Sequence, residues 1–168
     1  MEDIANRADV SRGTVFYNFE SKEEIVFALR FKSVEESQAR ALAAMRDGMP
    51  ALQALEYFMV ETCLWTEKNS QLCNILIMYG PPVLRDQVNL LIPLEIIERA
   101  QKEGSLSCEL ELSWLSALFN FVLVHAQMSW IAQQRSASLN QDDSLDTSAA
   151  SLVKAHLALV LKGVAGNG

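Results

Sequence analysis

Apolar positions recur at three- and four-residue spacing in segment after segment, which predicts helices throughout and an all-α chain. Ile4, Ala5 and Ala8 give a short first helix an apolar face. Asp9 and Val10 form a turn, where Asp tolerates a left-handed backbone better than most residues. Ser11 caps a second short helix by accepting from its first free N–H groups, and Val15 and Phe19, four apart, supply that helix's inner side. Ser21-Lys22-Glu23-Glu24 reads as a capping box opening a third, long helix over 22–46, with Ile25, Ala28, Leu29, Leu42 and Met45 on its buried faces. Gly48-Met49-Pro50 ends it.

The pattern continues with an amphipathic helix over 50–68, where Leu52, Leu55, Met59 and Thr62 share a line with Phe58 and Trp65 beside it. A short apolar helix over 71–79 stops at Gly80-Pro81-Pro82. The next, 83–103, should kink at Pro93 and end with Gly104 as its cap. Leu112 to Gln134 holds no Asp, Glu, Lys or Arg, and by length alone it qualifies as a membrane span. Ser113, Ser116, Asn120, His125, Gln127 and Ser129 are too many polar groups for a lipid-facing helix, so it reads as one buried on nearly all sides. Residues 136–148 read as a mobile loop. A last helix over 145–161 leaves Leu152, Val153, Leu157, Val160 and Leu161 needing cover. Two such apolar helices exceed what a small monomer buries, which points to an isologous homodimer through 112–134 and 145–161.

The opening segment reads as a helix-turn-helix, whose second helix enters the DNA major groove. Ile4-Ala5, Ala8, Val10-Ser11, Gly13-Thr14, Phe16-Tyr17, Phe19 and Ser21-Lys22 together closely resemble the recognition motif of the TetR (tetracycline-repressor-like) family of transcriptional regulators. The motif spans about an eighth of the chain. The resemblance implies two regions: a helix-turn-helix with its connecting helix over 1–46, and a helical effector-binding and dimerisation domain over 47–168. It implies that Ser11, Arg12 and Gly13 open the recognition helix toward base edges, that Thr14 and Lys22 hold phosphates, and that Tyr17 and Asn18 lie near the groove. Phe16 replaces a Tyr usual in the family, losing a phosphate contact. Asn18 stands where His is common and can pair with adenine. Phe16 and Phe19 themselves read as core. The family carries a further helix ahead of this motif, whereas the chain starts at Met1-Glu2-Asp3, inside the second. Either the true start lies upstream or this is a shortened form, and weakened or absent DNA binding is expected of this chain as it stands, because small cores are marginal.

Composition narrows the rest. The 168 residues are half hydrophobic, enough for one sizeable core. The net charge of −7 excludes a general nucleic-acid coat. Residues 1–46 hold 7 Lys/Arg against 8 Asp/Glu and residues 47–168 hold 7 against 13, so the body is the acidic part and Arg7, Arg12 and Lys22 are the candidate DNA-facing cations. The first residues are polar and charged, with no apolar signal segment. Cys63, Cys73 and Cys108 give no metal or disulfide spacing, which fits a reducing cytoplasm.

For chemistry, Phe58, Trp65, Met78, Tyr79, Trp114, Phe119 and Met128 offer an aromatic-lined interior. With the family's inducer-binding role it predicts a small hydrophobic or aromatic effector, held by Trp65, Tyr79 and His125. His125 and His156 lack further ligands for a metal, and no nucleophile–base pair, phosphate loop or dinucleotide fingerprint is present, so no cofactor and no enzyme is expected. The reading is a DNA-binding regulator, a repressor released by its effector. The alternative is a dimeric ligand-binding or interaction module that no longer binds DNA.

Overall fold

The computed structural model describes residues 1–79, 92–140 and 147–165, with the backbone alone at 76–79 and 137–140. Among these residues are eight helices: α1 (Glu2–Arg7), α2 (Arg12–Asn18), α3 (Lys22–Arg46), α4 (Ala51–Lys68), α5 (Ser70–Tyr79), α6 (Leu94–Lys102), α7 (Leu112–Asn140) and α8 (Ala149–Val164). The fold is all-α, as the periodicity requires. The extended pairing described is a single bridge between Leu106 and Ala165.

Three helix ends share one device. After α1, α3 and α6, a residue with positive φ lets two successive N–H groups turn back onto the last free carbonyls. Val10 N–H donates to Ala5 O at 3.1 Å, Met49 N–H to Ala44 O at 3.0 Å, and Ser105 N–H to Ala100 O at 2.9 Å. The left-handed residues are Asp9 (φ 52°), Gly48 (φ 102°) and Gly104 (φ 72°). The turn at Asp9–Val10 and the cap at Gly104 thus stand where the sequence puts them.

Helix starts are satisfied locally or from afar. Pro50 precedes α4 and has no side chain to cap it, so Glu103 beyond α6 supplies the acceptor: its Oε2 takes the Ala51 N–H at 2.9 Å. At the start of α8, Ser148 Oγ accepts from Ser151 N–H at 3.0 Å, and Glu67 of α4 accepts from Ala150 N–H at 3.0 Å. Each long-range cap pins one helix end to another helix.

The core is built around α4, against which α3, α5, α6, α7 and α8 all pack. Leu55, Phe58, Met59, Ile96, Ile97, Leu115, Phe119 and Leu123 are fully buried there. The contiguous core begins, in chain order, at Val34.

Several expectations are corrected. The fully buried face of α3 is Val26, Val34, Ser37 and Ala41; of the expected stripe, Leu42 and Met45 pack against the core, Ile25 and Ala28 are partly buried, and Leu29 is half exposed. Ser37 and Ala41 put small side chains at the buried positions of α3, which packs against α4. Pro93 does not kink a helix; it is the N-cap of α6, where a missing N–H costs nothing. The segment 83–91 and the stop at Gly80-Pro81-Pro82 lie outside the described residues. Helix α7 runs to Asn140, so the first part of the expected loop is helical. It has a buried face and an outer one, with Trp114 50% and Phe121 67% exposed, rather than burial on nearly all sides. Val153 and Leu157 of α8 are covered within the chain, while Leu159 is 65% exposed.

Candidate DNA-binding face and ligand site

The face that would meet DNA is built from α2 and its two ends. Ser11, the N-cap, accepts from Thr14 N–H at 3.0 Å, and its hydroxyl lies 2.8 Å from the Thr14 hydroxyl. Only Val15 of α2 is buried; Ser11, Arg12, Gly13, Thr14, Tyr17 and Asn18 are exposed, Tyr17 at 90%. Six of the seven DNA-binding candidates therefore share one outward helix. The seventh, Lys22, is exposed at the first position of α3.

Two side chains differ from expectation. Phe16 is not core: it is 44% exposed and carries the Arg12 guanidinium over its ring at 5.3 Å. That cation–π contact, one helical turn long, holds Arg12 along the outer surface of α2. Asn18 donates Nδ2–H to Thr14 O at 2.8 Å, a bond its amide must give up to pair with a base. Phe19 is half-buried. The capping box is a variant: Ser21 Oγ accepts from Glu24 N–H at 3.1 Å, but the Glu24 carboxylate reaches the Glu20 N–H at 2.6 Å.

The effector candidates do not converge. Trp65 stacks on Arg30 of α3, ring centroid to guanidinium 5.0 Å. His125 is exposed on the outer side of α7, its ring 5.7 Å from Phe121 and 5.2 Å from His156 of α8. It belongs with the uncovered apolar stripe, not with Trp65. The Tyr79 side chain lies outside the described residues.

What Trp65 does face is a polar knot inside the helical body. Arg30 Nη1–H donates to Thr62 O at 3.5 Å and Nη2–H to Gln127 Oε1 at 3.4 Å, while Gln127 Nε2–H donates to Thr62 O at 3.3 Å. Burial pushes the Arg30 pKa down and pushes Cys63 up to about 12; Cys73 is raised by burial as well. The two thiols nearest Arg30 are thus neutral at physiological pH, which makes them packing groups rather than redox sensors. Neither Arg30 nor Gln127 was among the sequence candidates. The signal was there: once α3 is set on Val26, Val34 and Ala41, position 30 falls on the inner face.

Among the described residues, no group of three His, Cys, Asp or Glu stands where it could hold a metal. Leu112–Ser136 is long and apolar enough to cross a membrane, yet 56% of its most apolar window is buried against the other helices, as in a core helix.

The family model for the N-terminal region of bacterial regulatory proteins of the tetR family matches residues 1–29, the stretch that holds α1, the turn, α2 and the start of α3. That stretch is therefore similar to the N-terminal region of tetR-family regulators. In structure it is similar to a tetR-family transcription regulator from Shewanella sp. PV-4, with a TM-score of 0.58 at 20% identity over 96% of this chain and 85% of that one. That likeness is one of fold. The ketosteroid transcriptional regulator KstR2 of Mycobacterium tuberculosis superposes with a TM-score of 0.47 at 16% identity, over 98% of this chain and 84% of its own. No curated protein sequence matches this one. Within the matched stretch α2 is the second helix of the pair, and α3 runs on from it to pack against α4.

Proposed function

We propose that this chain is a TetR-family regulator, a cytoplasmic, dimeric repressor that a small effector releases from a double-stranded operator. Residues 1–46 read the DNA, and 47–168 bind the effector and the second subunit. The observation that carries the reading is α3. It begins beside the exposed recognition helix and runs unbroken for 25 residues, about 37 Å at the usual rise, into the α4-centred core. A shift of that rod by a ligand changes the spacing of two recognition helices in a dimer. The ligand drives it only by binding one arrangement more tightly.

The dimer reading is supported by the outer stripe of α7 and α8: Trp114, Phe121, Met128 and Leu159 are all large, apolar and exposed, and they flank the His125–His156 pair. An apolar surface of that kind marks a contact site. Phe121→Lys is expected to convert the dimer to monomer in sedimentation velocity without changing the helical circular dichroism.

The function is tested by titrating promoter DNA from the chain's own gene across about 50 to 200 mM salt, with this chain and with the chain extended upstream. Binding that weakens as salt rises is expected. Arg12→Ala and Lys22→Ala should each lower the salt slope by about one and leave the melting temperature alone. Folded dimers that ignore DNA in both forms would instead favour the ligand-binding module. The small cover over the α1–α2 pair, with Ala8, Val10 and Phe16 exposed, is the observation on that side.

A further inference from the structure

We propose that Arg30 is the anchor of a carboxylate-binding site between α3, α4 and α7, so that the effector is a small monoanionic carboxylate with an apolar or aromatic body. The proposal deepens the effector-release reading and rests on it only for the consequence at DNA.

A guanidinium offers five N–H donors in a rigid fork. Arg30 uses two, at 3.4 and 3.5 Å, both to neutral acceptors and both at the long limit of a hydrogen bond. Among the described residues, the ion pairs join Arg40 to Glu61, Arg99 to Glu103 and Lys154 to Glu56; none involves Arg30. The acceptor it leans on is already crowded, because Thr62 O also receives Thr66 Oγ1–H at 3.1 Å and Gln127 Nε2–H at 3.3 Å. Cys63 and Cys73 bear on it electrostatically but stay protonated, so they give no counter-charge.

A partly buried cation with no anion among the described residues is costly, and proteins keep such charges where a ligand completes them. The fork matches a carboxylate bidentately. A single cation balances a monoanion and leaves a phosphate dianion under-compensated. Trp65, with its ring on the guanidinium, gives an apolar body something to lie against, and Gln127 and Thr66 offer further polar contacts beside it. Arg30 stands eight residues into α3, about 12 Å from its start, so a ligand held there joins the DNA-linked rod to α4 and α7 directly.

The test uses the full chain and a fixed panel: benzoate, 2-naphthoate and decanoate, their neutral amides, and inorganic phosphate. Binding is read by tryptophan fluorescence and isothermal titration. At least one carboxylate should bind, its amide at least tenfold more weakly, and phosphate not measurably. Arg30→Gln should weaken the carboxylate at least tenfold and leave the amide unchanged. Arg30→Lys, which keeps the charge but loses the fork, should fall between. Trp65→Phe provides a second variant should Arg30→Gln misfold, and it should weaken carboxylate and amide together. A carboxylate that binds no better than its amide overturns the proposal, as does an Arg30→Gln chain that is folded and binds undiminished, or a panel in which no carboxylate binds. Carboxylate binding that leaves DNA affinity unchanged keeps the site and removes the effector-release reading instead.

Discussion

The α1–α2 pair and the α4-centred body are folded on different terms. In the pair, one residue of each helix is buried, Ala5 and Val15, and the contiguous core does not reach it. In the body, α4 alone buries Ala51, Ala54, Leu55, Phe58, Met59, Thr62, Cys63 and Thr66. The pair spends its side chains outward: Arg12, Thr14, Tyr17 and Asn18 face solvent, where a groove would be. The body spends them inward. The residues that carry the helix-turn-helix resemblance are therefore not those that hold the molecule together, and α3 is the helix that joins the two.

The largest expected effect tests that division directly. Phe58→Ala removes a fully buried ring from the body and should cost about 3–5 kcal/mol, moving the whole urea transition. Val15→Ala should act mainly on the pair. Hydrogen exchange of the α1 and α2 amides should quicken several-fold, while the body's urea midpoint moves by less than about 0.5 kcal/mol equivalent. A global shift of similar size from both changes would show one cooperative unit and erase the contrast.

A smaller effect of the opposite sign is expected at the one place where the body breaks its own rule. Arg30 is a charge set among Val26, Val34, Thr62 and Gln127 without a carboxylate partner among the described residues. Arg30→Met keeps the stem's volume and removes the partly buried charge, so it should raise stability by about 0.5–1 kcal/mol in urea while removing carboxylate binding. A loss of stability would mean that the contacts to Thr62 and Gln127 are structural cement. The body would then have no site paid for in stability.

Legibility in the sequence follows the same division. The pair could be read residue by residue because its job fixes residue types at fixed offsets: a residue tolerating positive φ at 9, a hydroxyl cap at 11, small Gly13 and an inner Val15. The helices of the body were legible as well, since 3.6-residue periodicity needs only a buried face. What could not be read was which face. The stripe through Ile25 and Leu29 is as apolar as that through Val26 and Val34, and only packing on α4 through Ser37 and Ala41 decides between them. That choice of face hid Arg30. The same limit misplaced His125, which reads as an interior polar handle in a charge-free run and turns out to lie on the outer stripe with Phe121 and His156.

The smallest expected effect lies in the helix-turn-helix turn. Asp9 takes the left-handed position that Gly48 and Gly104 fill at the ends of α3 and α6, and a side chain there carries strain that glycine lacks. Asp9→Gly relieves it but also frees the unfolded chain, so the net gain should be below about 1 kcal/mol. Because the pair packs largely on itself, the gain should show as slower exchange of the Val10 amide, which is bonded to Ala5 O, and as tighter operator binding. The body's midpoint should stay where it was. Should that midpoint rise by the full amount with no change at Val10, the turn would be coupled to the α4 core, and α3 would transmit stability as well as movement.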